Sequence, residues 1–156
     1  MNKAPLYFVL YFLSTLFCFS QEMESKPSYD AALAAKVGAD DYGMKKYVMA
    51  FLKAGNVKIE DETKRKELQT AHLKNIQRLA AEGKLVLAGP FMDKQDIRGI
   101  YIFNVTTVEE AAKLTETDPS IQAGTLEMEL HPWYGSAALM EVNRMHGTLE
   151  KKDITK

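Results

Sequence analysis

The chain has 156 residues, of which 46% are hydrophobic, 26% charged and 10% aromatic, with a single cysteine. That composition suits one globular domain and is too little chain for two full-sized ones. One cysteine excludes a disulfide framework and a cysteine zinc site. A net charge of −1 with a pI near 6.3 argues against an electrostatic nucleic-acid binder, which needs a basic face.

The first twenty residues read as an address. Lys3 is the only charge before Glu22, and residues 6–19 are apolar except for Ser14 and Thr15. That core falls short of the roughly 20 residues of a membrane-spanning helix. A positive start, a short apolar core and small residues at its end make a secretory signal peptide, with cleavage expected after Ser20. An uncleaved membrane anchor is the alternative. Lipid attachment at Cys18 fits poorly, because bulky Phe17 stands where a small residue is needed. Cleavage removes Lys3 and no acid, so the mature chain carries a net charge of −2 and no cysteine. A thiol-free chain suits an oxidising compartment, so periplasmic or secreted localisation is expected. No second apolar stretch is long enough to span a membrane.

Residues 21–45 are polar and rich in Ala and Gly, and are expected as a flexible leader with a short helix over 30–36. Residues 47–52 form a continuous apolar run, a strand buried on both faces. Residues 56–62 are a polar loop. Residues 64–82 have helical spacing, with Leu68, His72, Ile76, Leu79 and Ala80 on one face, and Gly83 as the stop. Residues 85–88 are a short strand ended by Gly89-Pro90. Residues 99–105, rich in Ile, Tyr and Phe, are another. Thr106-Thr107-Val108-Glu109 has capping-box spacing and opens a helix through 116. Residues 126–130 alternate Leu126, Met128 and Leu130 with Glu127 and Glu129, a half-buried strand. Residues 135–156 are a C-terminal extension whose last ten are expected to fray.

The order β-α-β-β-α-β predicts an α+β, ferredoxin-like domain, with two helices on one face of a four-stranded antiparallel sheet. In the first strand Tyr47, Met49 and Phe51 alternate with Val48, Ala50 and Leu52, so both faces are apolar. The face without helices needs a cover, and a second subunit's sheet is the simplest one. A homodimer is therefore expected.

Several short runs in order resemble the YciI-like family, the YCII-related domain. They are Ala71-His72-Leu73, Glu82-Gly83-Lys84-Leu85 and Leu87-Ala88-Gly89-Pro90. Arg98-Gly99, Glu109-Glu110-Ala111-Ala112, Thr117-Asp118-Pro119 and Ile121-Gln122-Ala123-Gly124 follow. The resemblance covers residues 46–134. It implies a ferredoxin-like fold that dimerises into an α+β barrel, an active site with a His–Asp pair, and links to lyase-type and dehalogenase-like proteins acting on small ring compounds.

His72 and Asp118 are the candidate catalytic residues. A neutral imidazole takes or gives a proton near pH 7, whereas the residues alone allow a packed core histidine. Asp118 before Pro119 is a helix start in its own right. A cap can leave one carboxylate oxygen free to orient an imidazole and stabilise the imidazolium. Their spacing says nothing about contact; only the resemblance pairs them.

Other residues carry weaker signals. His131, beside Pro132-Trp133-Tyr134, is expected to pack or to edge a pocket, and His146 to be solvated. No histidine pair has metal-site spacing, so no metal is expected. Gly83, Gly89 and Gly99 read as turn positions, and no cofactor motif is present. Ser136 lacks a nucleophile-elbow context. Lys64, Arg65 and Lys66 read as a solvated helix start, and the Asn104-Val105-Thr106 sequon as a strand end running into a cap. Two function classes follow: a cofactor-free enzyme of small organic molecules using His72 for proton transfer, or a non-catalytic dimeric barrel that holds an apolar ligand or a protein partner.

Overall fold

Strand β1, Met44–Ala54, is the spine of the fold. It runs antiparallel to β3, Ile97–Phe103, on one side and to β4, Leu126–Ser136, on the other. Strand β2, Leu85–Pro90, pairs with β3, giving the antiparallel order β2-β3-β1-β4. This is the ferredoxin-like sheet order. The computed structural model describes residues 27–93 and 95–155; the expected signal segment, residues 1–20, lies outside them.

Helices cover one face. The first is α2, Glu62–Ala81, N-capped by Asp61, whose carboxylate accepts the Lys64 N–H. Gly83 follows it with φ 67°, the left-handed conformation that stops a helix. The second is α3, Val108–Thr115. Its cap is Thr107, which accepts the Glu110 N–H while the Glu110 carboxylate turns back to the Thr106 N–H. The box therefore sits one residue later than its spacing predicts. A single turn, α4, Pro119–Gln122, follows Asp118. Val48, Ala50 and Leu52 meet Leu79 of α2, Ala111 of α3, and Tyr101 and Phe103 of β3 in the main core.

The opposite face is half covered by this chain itself, which differs from the expected cover by a second sheet alone. A 3-10 turn, Ala137–Glu141, brings Leu139 and Met140 onto Tyr47, Val86 and Ile102, with Trp133 alongside. Helix α5, Val142–Leu149, continues from it. Asn143 donates its amide to the Leu85 carbonyl at 2.7 Å, and Gln77 bonds Asp153 at 3.0 Å. The C-terminal extension is thus packed and bonded rather than frayed. The short helix expected over 30–36 in the leader is α1, Ala31–Val37, capped by Asp30 and Gly38. Lys36 joins it to Glu141 of the 3-10 turn at 2.8 Å. Among the described residues no helix is long and apolar enough to cross a membrane.

Candidate active site

Helix α2 turns a stripe of three buried residues inward: His72, Asn75 and Leu79. The spacings of three and four residues put them on one side of the helix. Against this stripe stands the turn that starts α4. Asp118 caps it with extended backbone, and Pro119 supplies the first helical residue. Asp118 Oδ1 accepts the Ser120 N–H at 2.9 Å. Its Oδ2 lies 2.8 Å from His72 Nδ1, with Oδ1 at 3.0 Å. Cap and imidazole partner are one carboxylate. His72 is 7% exposed and Asp118 fully buried.

Tyr101 closes a triangle with the pair. It comes from β3, on the sheet face that meets the helices, and is 2% exposed. Its hydroxyl is 3.3 Å from His72 Nε2 and 3.5 Å from Asp118 Oδ2. The two rings stack with centroids 6.2 Å apart. Burial pushes the Tyr101 phenol far above the usual tyrosine range, and the adjacent Asp118 charge pushes the same way. Tyr101 is therefore a neutral hydroxyl at any physiological pH.

The partners set the tautomer. Both Asp118 oxygens accept, so Nδ1 carries the proton and Nε2 of the neutral ring holds the lone pair. The Tyr101 hydroxyl has one hydrogen and faces both that lone pair, at 3.3 Å, and Asp118 Oδ2, to which it donates at 3.5 Å. A ring held this way can take a proton at Nε2, and the carboxylate behind it stabilises the resulting imidazolium.

His72 and Tyr101 line a cavity of about 620 Å³ between α2 and the sheet. Its walls are mostly apolar, with Leu52, Leu73, Ile76, Ala88, Pro90 and Leu126 among them. His146 and Ile154 of the C-terminal extension line the same cavity. A more open hollow of about 690 Å³ adjoins it around Lys58, Arg65 and Ser120, but holds neither His72 nor Tyr101.

The structure thus brings His72 and Asp118 together and leaves His131 apart. His131 is exposed, bonded to Glu129 at 2.8 Å and edge-on to Phe51. His146 is exposed as expected, yet borders the cavity. Ser136 caps the 3-10 turn, accepting the Ala138 N–H. Lys66 pairs with Glu62, and Arg65 bonds the carbonyls of Ile59 and Glu60, consistent with a solvated helix start. Asn104 bonds the Gly83 carbonyl at 3.0 Å. Among the described residues no three or more His, Cys, Asp or Glu side chains group to hold a metal ion. Sequence reasoning missed Tyr101, Asn75, His146 and Ile154. None of the four places carried a local signal, because each follows from which elements the fold brings together.

Residues 46–134 match the YCII-related domain family. An uncharacterized protein of Bacillus subtilis (strain 168), YjpA, is 34% identical over 62 residues, which span 40% of this chain and 71% of that protein. Among solved structures, 5-chloro-2-hydroxyhydroquinone dehydrochlorinase (TftG) from Burkholderia phenoliruptrix AC1100, in complex with 2,5-dihydroxybenzoquinone, is 21% identical with a TM-score of 0.41. That alignment covers 55% of this chain and 92% of that one. With the family match covering residues 46–134, more than half of the chain and both His72 and Asp118, the chain belongs to the YCII-related domain family.

Proposed function

We propose that this YCII-related domain protein is a cofactor-free acid–base enzyme of small organic molecules. The observation that carries the reading is the buried His72–Asp118 pair, with the Tyr101 hydroxyl on Nε2, at the wall of a mostly apolar cavity of about 620 Å³. In this reading His72 Nε2 takes a proton from the substrate. Asp118 keeps the ring oriented and stabilises the imidazolium, and the proton then returns to the product or to its leaving group. Isomerisation, elimination and the eliminative loss of a hydrogen halide all balance with one such base and no redox partner. In the eliminations the base takes the C–H proton, the leaving group departs with the bond's electrons, and the proton is returned to it. The cavity volume falls within the range of ordinary small-ligand sites.

A screen of small lactones, halogenated ring acids and keto acids identifies the reaction, and His72→Gln then tests the role. Gln keeps hydrogen-bonding capacity and loses proton transfer near pH 7. The expected variant is folded and its turnover falls by about 10²–10⁴-fold, the range of general acid–base groups. A stable variant with undiminished turnover removes His72 from the chemistry and leaves a ligand-binding barrel. The same proposal includes export with Gln21 as the mature N-terminus; intact-mass analysis of exported protein retaining Met1 would overturn that part.

A further inference from the structure

The His72–Asp118 pair joins two separate pieces of chain: α2 and the turn between α3 and α4. A second set of side-chain bonds ties the same two pieces a short way along the helix. Arg78 spreads its guanidinium over three acceptors. Nη1 donates to Glu82 Oε1 at 2.8 Å, one turn further on the same helix. Nη2 donates to Asn75 Oδ1 at 2.8 Å and to Thr117 Oγ1 at 2.9 Å. Nη2 carries two hydrogens, so each acceptor takes one. The Thr117 hydroxyl has two acceptors for its own hydrogen: the Leu114 carbonyl at 2.7 Å, in the last turn of α3, and Asn75 Oδ1 at 3.2 Å. Thr117 is therefore held from both sides, and it is the residue directly before Asp118.

The orientation of Asn75 shows which contact governs this cluster. Asn75 is 7% exposed, and its Oδ1 faces the guanidinium. That turns Nδ2 into a buried position where it finds no hydrogen-bond partner among the described residues. A buried donor without a partner is costly. Turning the amide over would relieve Nδ2 only by setting an N–H against the Arg78 N–H.

We infer that Arg78, Asn75 and Thr117 are positioning residues, a bridge that holds the Asp118 turn at hydrogen-bonding distance from His72. The inference rests on the acid–base reading of that pair. His72 and Asn75 are three residues apart on one face of α2, and Thr117 and Asp118 are adjacent on the turn. The bridge and the catalytic pair are therefore parallel rungs between the same two supports. Moving the turn away at Thr117 lengthens the contact at Asp118. None of the three bridge residues lines the cavity, so their effect on the chemistry is indirect.

The experiment reads the His72 Nδ1–H directly, by ¹⁵N-edited proton NMR on the full-length mature protein. A buried imidazole N–H bonded to a carboxylate gives a downfield resonance that exchanges slowly with water. Asp118→Asn is the reference variant and should remove the downfield signal. Thr117→Val removes one acceptor and changes no charge. Arg78→Ala removes the guanidinium and leaves only the contact of the Thr117 hydroxyl with Asn75 Oδ1 at 3.2 Å. Arg78→Lys keeps the charge without the planar fork. Thr117→Val and Arg78→Ala are each expected to speed exchange of the Nδ1–H by roughly tenfold or more, through easier local opening. Arg78→Lys should fall between wild type and Arg78→Ala. Folded Thr117→Val and Arg78→Ala proteins that both keep the wild-type resonance and exchange rate would overturn the bridge. If Arg78→Ala does not fold, Thr117→Val decides alone. An Asp118→Asn protein with an unchanged resonance would overturn the pair itself, which separates failure of the site from failure of the bridge.

Discussion

Tyr101 is the residue whose environment makes the clearest demand. Its phenol is buried beside the Asp118 carboxylate, so ionising it would set a second negative charge against the first in a low-dielectric site. The folded protein consequently holds the Tyr101 proton at a pH where the unfolded side chain releases it, near 10.0. The stability linked to this proton is whole below pH 10.0 and drains away as pH rises above it. Each further pH unit costs about 1.4 kcal/mol for one such group. Urea unfolding from pH 9 to 11 should show wild type losing stability more steeply than Tyr101→Phe, by about that slope. Equal slopes would mean that Tyr101 ionises freely in the fold. At this scale the sequence marked Asp118 as a helix start, because Asp-Pro is one in any context, and only the family resemblance paired it with His72. It could not mark Tyr101. A tyrosine in a strand looks the same whether its hydroxyl meets solvent, a carbonyl or an imidazole, and only the fold brings β3 under α2.

The elements were legible where a local pattern fixes them. Apolar periodicity and Gly83 set the span of α2, and both apolar faces of β1 follow from alternation. Ends set by tertiary pairing were not. Strand β4 was expected over 126–130 and runs to Ser136, because β1 continues beside it and the ladder pairs Tyr47 with Trp133. Pro132 does not stop it, since β4 is an edge strand whose outer side needs no ladder donor. The role of the extension was not legible for a related reason. Nothing in residues 135–146 marks them as core by themselves, yet Leu139 and Met140 pack on the Tyr47, Val86 and Ile102 cluster. Deleting residues 137–156 should therefore uncover Tyr47, Val86 and Ile102 together. Each large apolar side chain returned to water costs about 1.5–3 kcal/mol, so a loss of several kcal/mol is expected in a denaturant melt. A truncated protein as stable as the full one would show that the segment is only laid on the surface. The same deletion removes Ile154 and His146 from the cavity wall, so substrate preference should change even where enough folded protein survives to assay.

At the scale of the whole molecule the sheet's outer face decides the state of assembly. Its Tyr47 end is closed by the 3-10 turn. Its other end carries Met49, Phe51 and Ile100, all only half-buried. Beside them runs a polar row in which Lys53 pairs with Glu129 and Glu129 with His131. An apolar centre edged by charged pairs has the layout of an interface, where the core excludes water and the rim stays wet. The expected state is a homodimer whose sheets meet at the Phe51 end, offset from each other because the C-terminal segment occupies the Tyr47 end. A stable contact of this kind buries about 800 Å² per partner. Light scattering at micromolar concentration should give about twice the mass of the chain measured, which is 17.6 kDa when all 156 residues are present. Phe51→Lys puts a charge at the centre of the contact and should yield monomer. Phe51 lies on the face away from the helices, so the His72 Nδ1–H resonance should survive in that monomer. A wild-type protein that scatters as a monomer would remove the dimer. A Phe51→Lys monomer that loses the His72 resonance would instead show that the partner subunit shapes the site through the sheet.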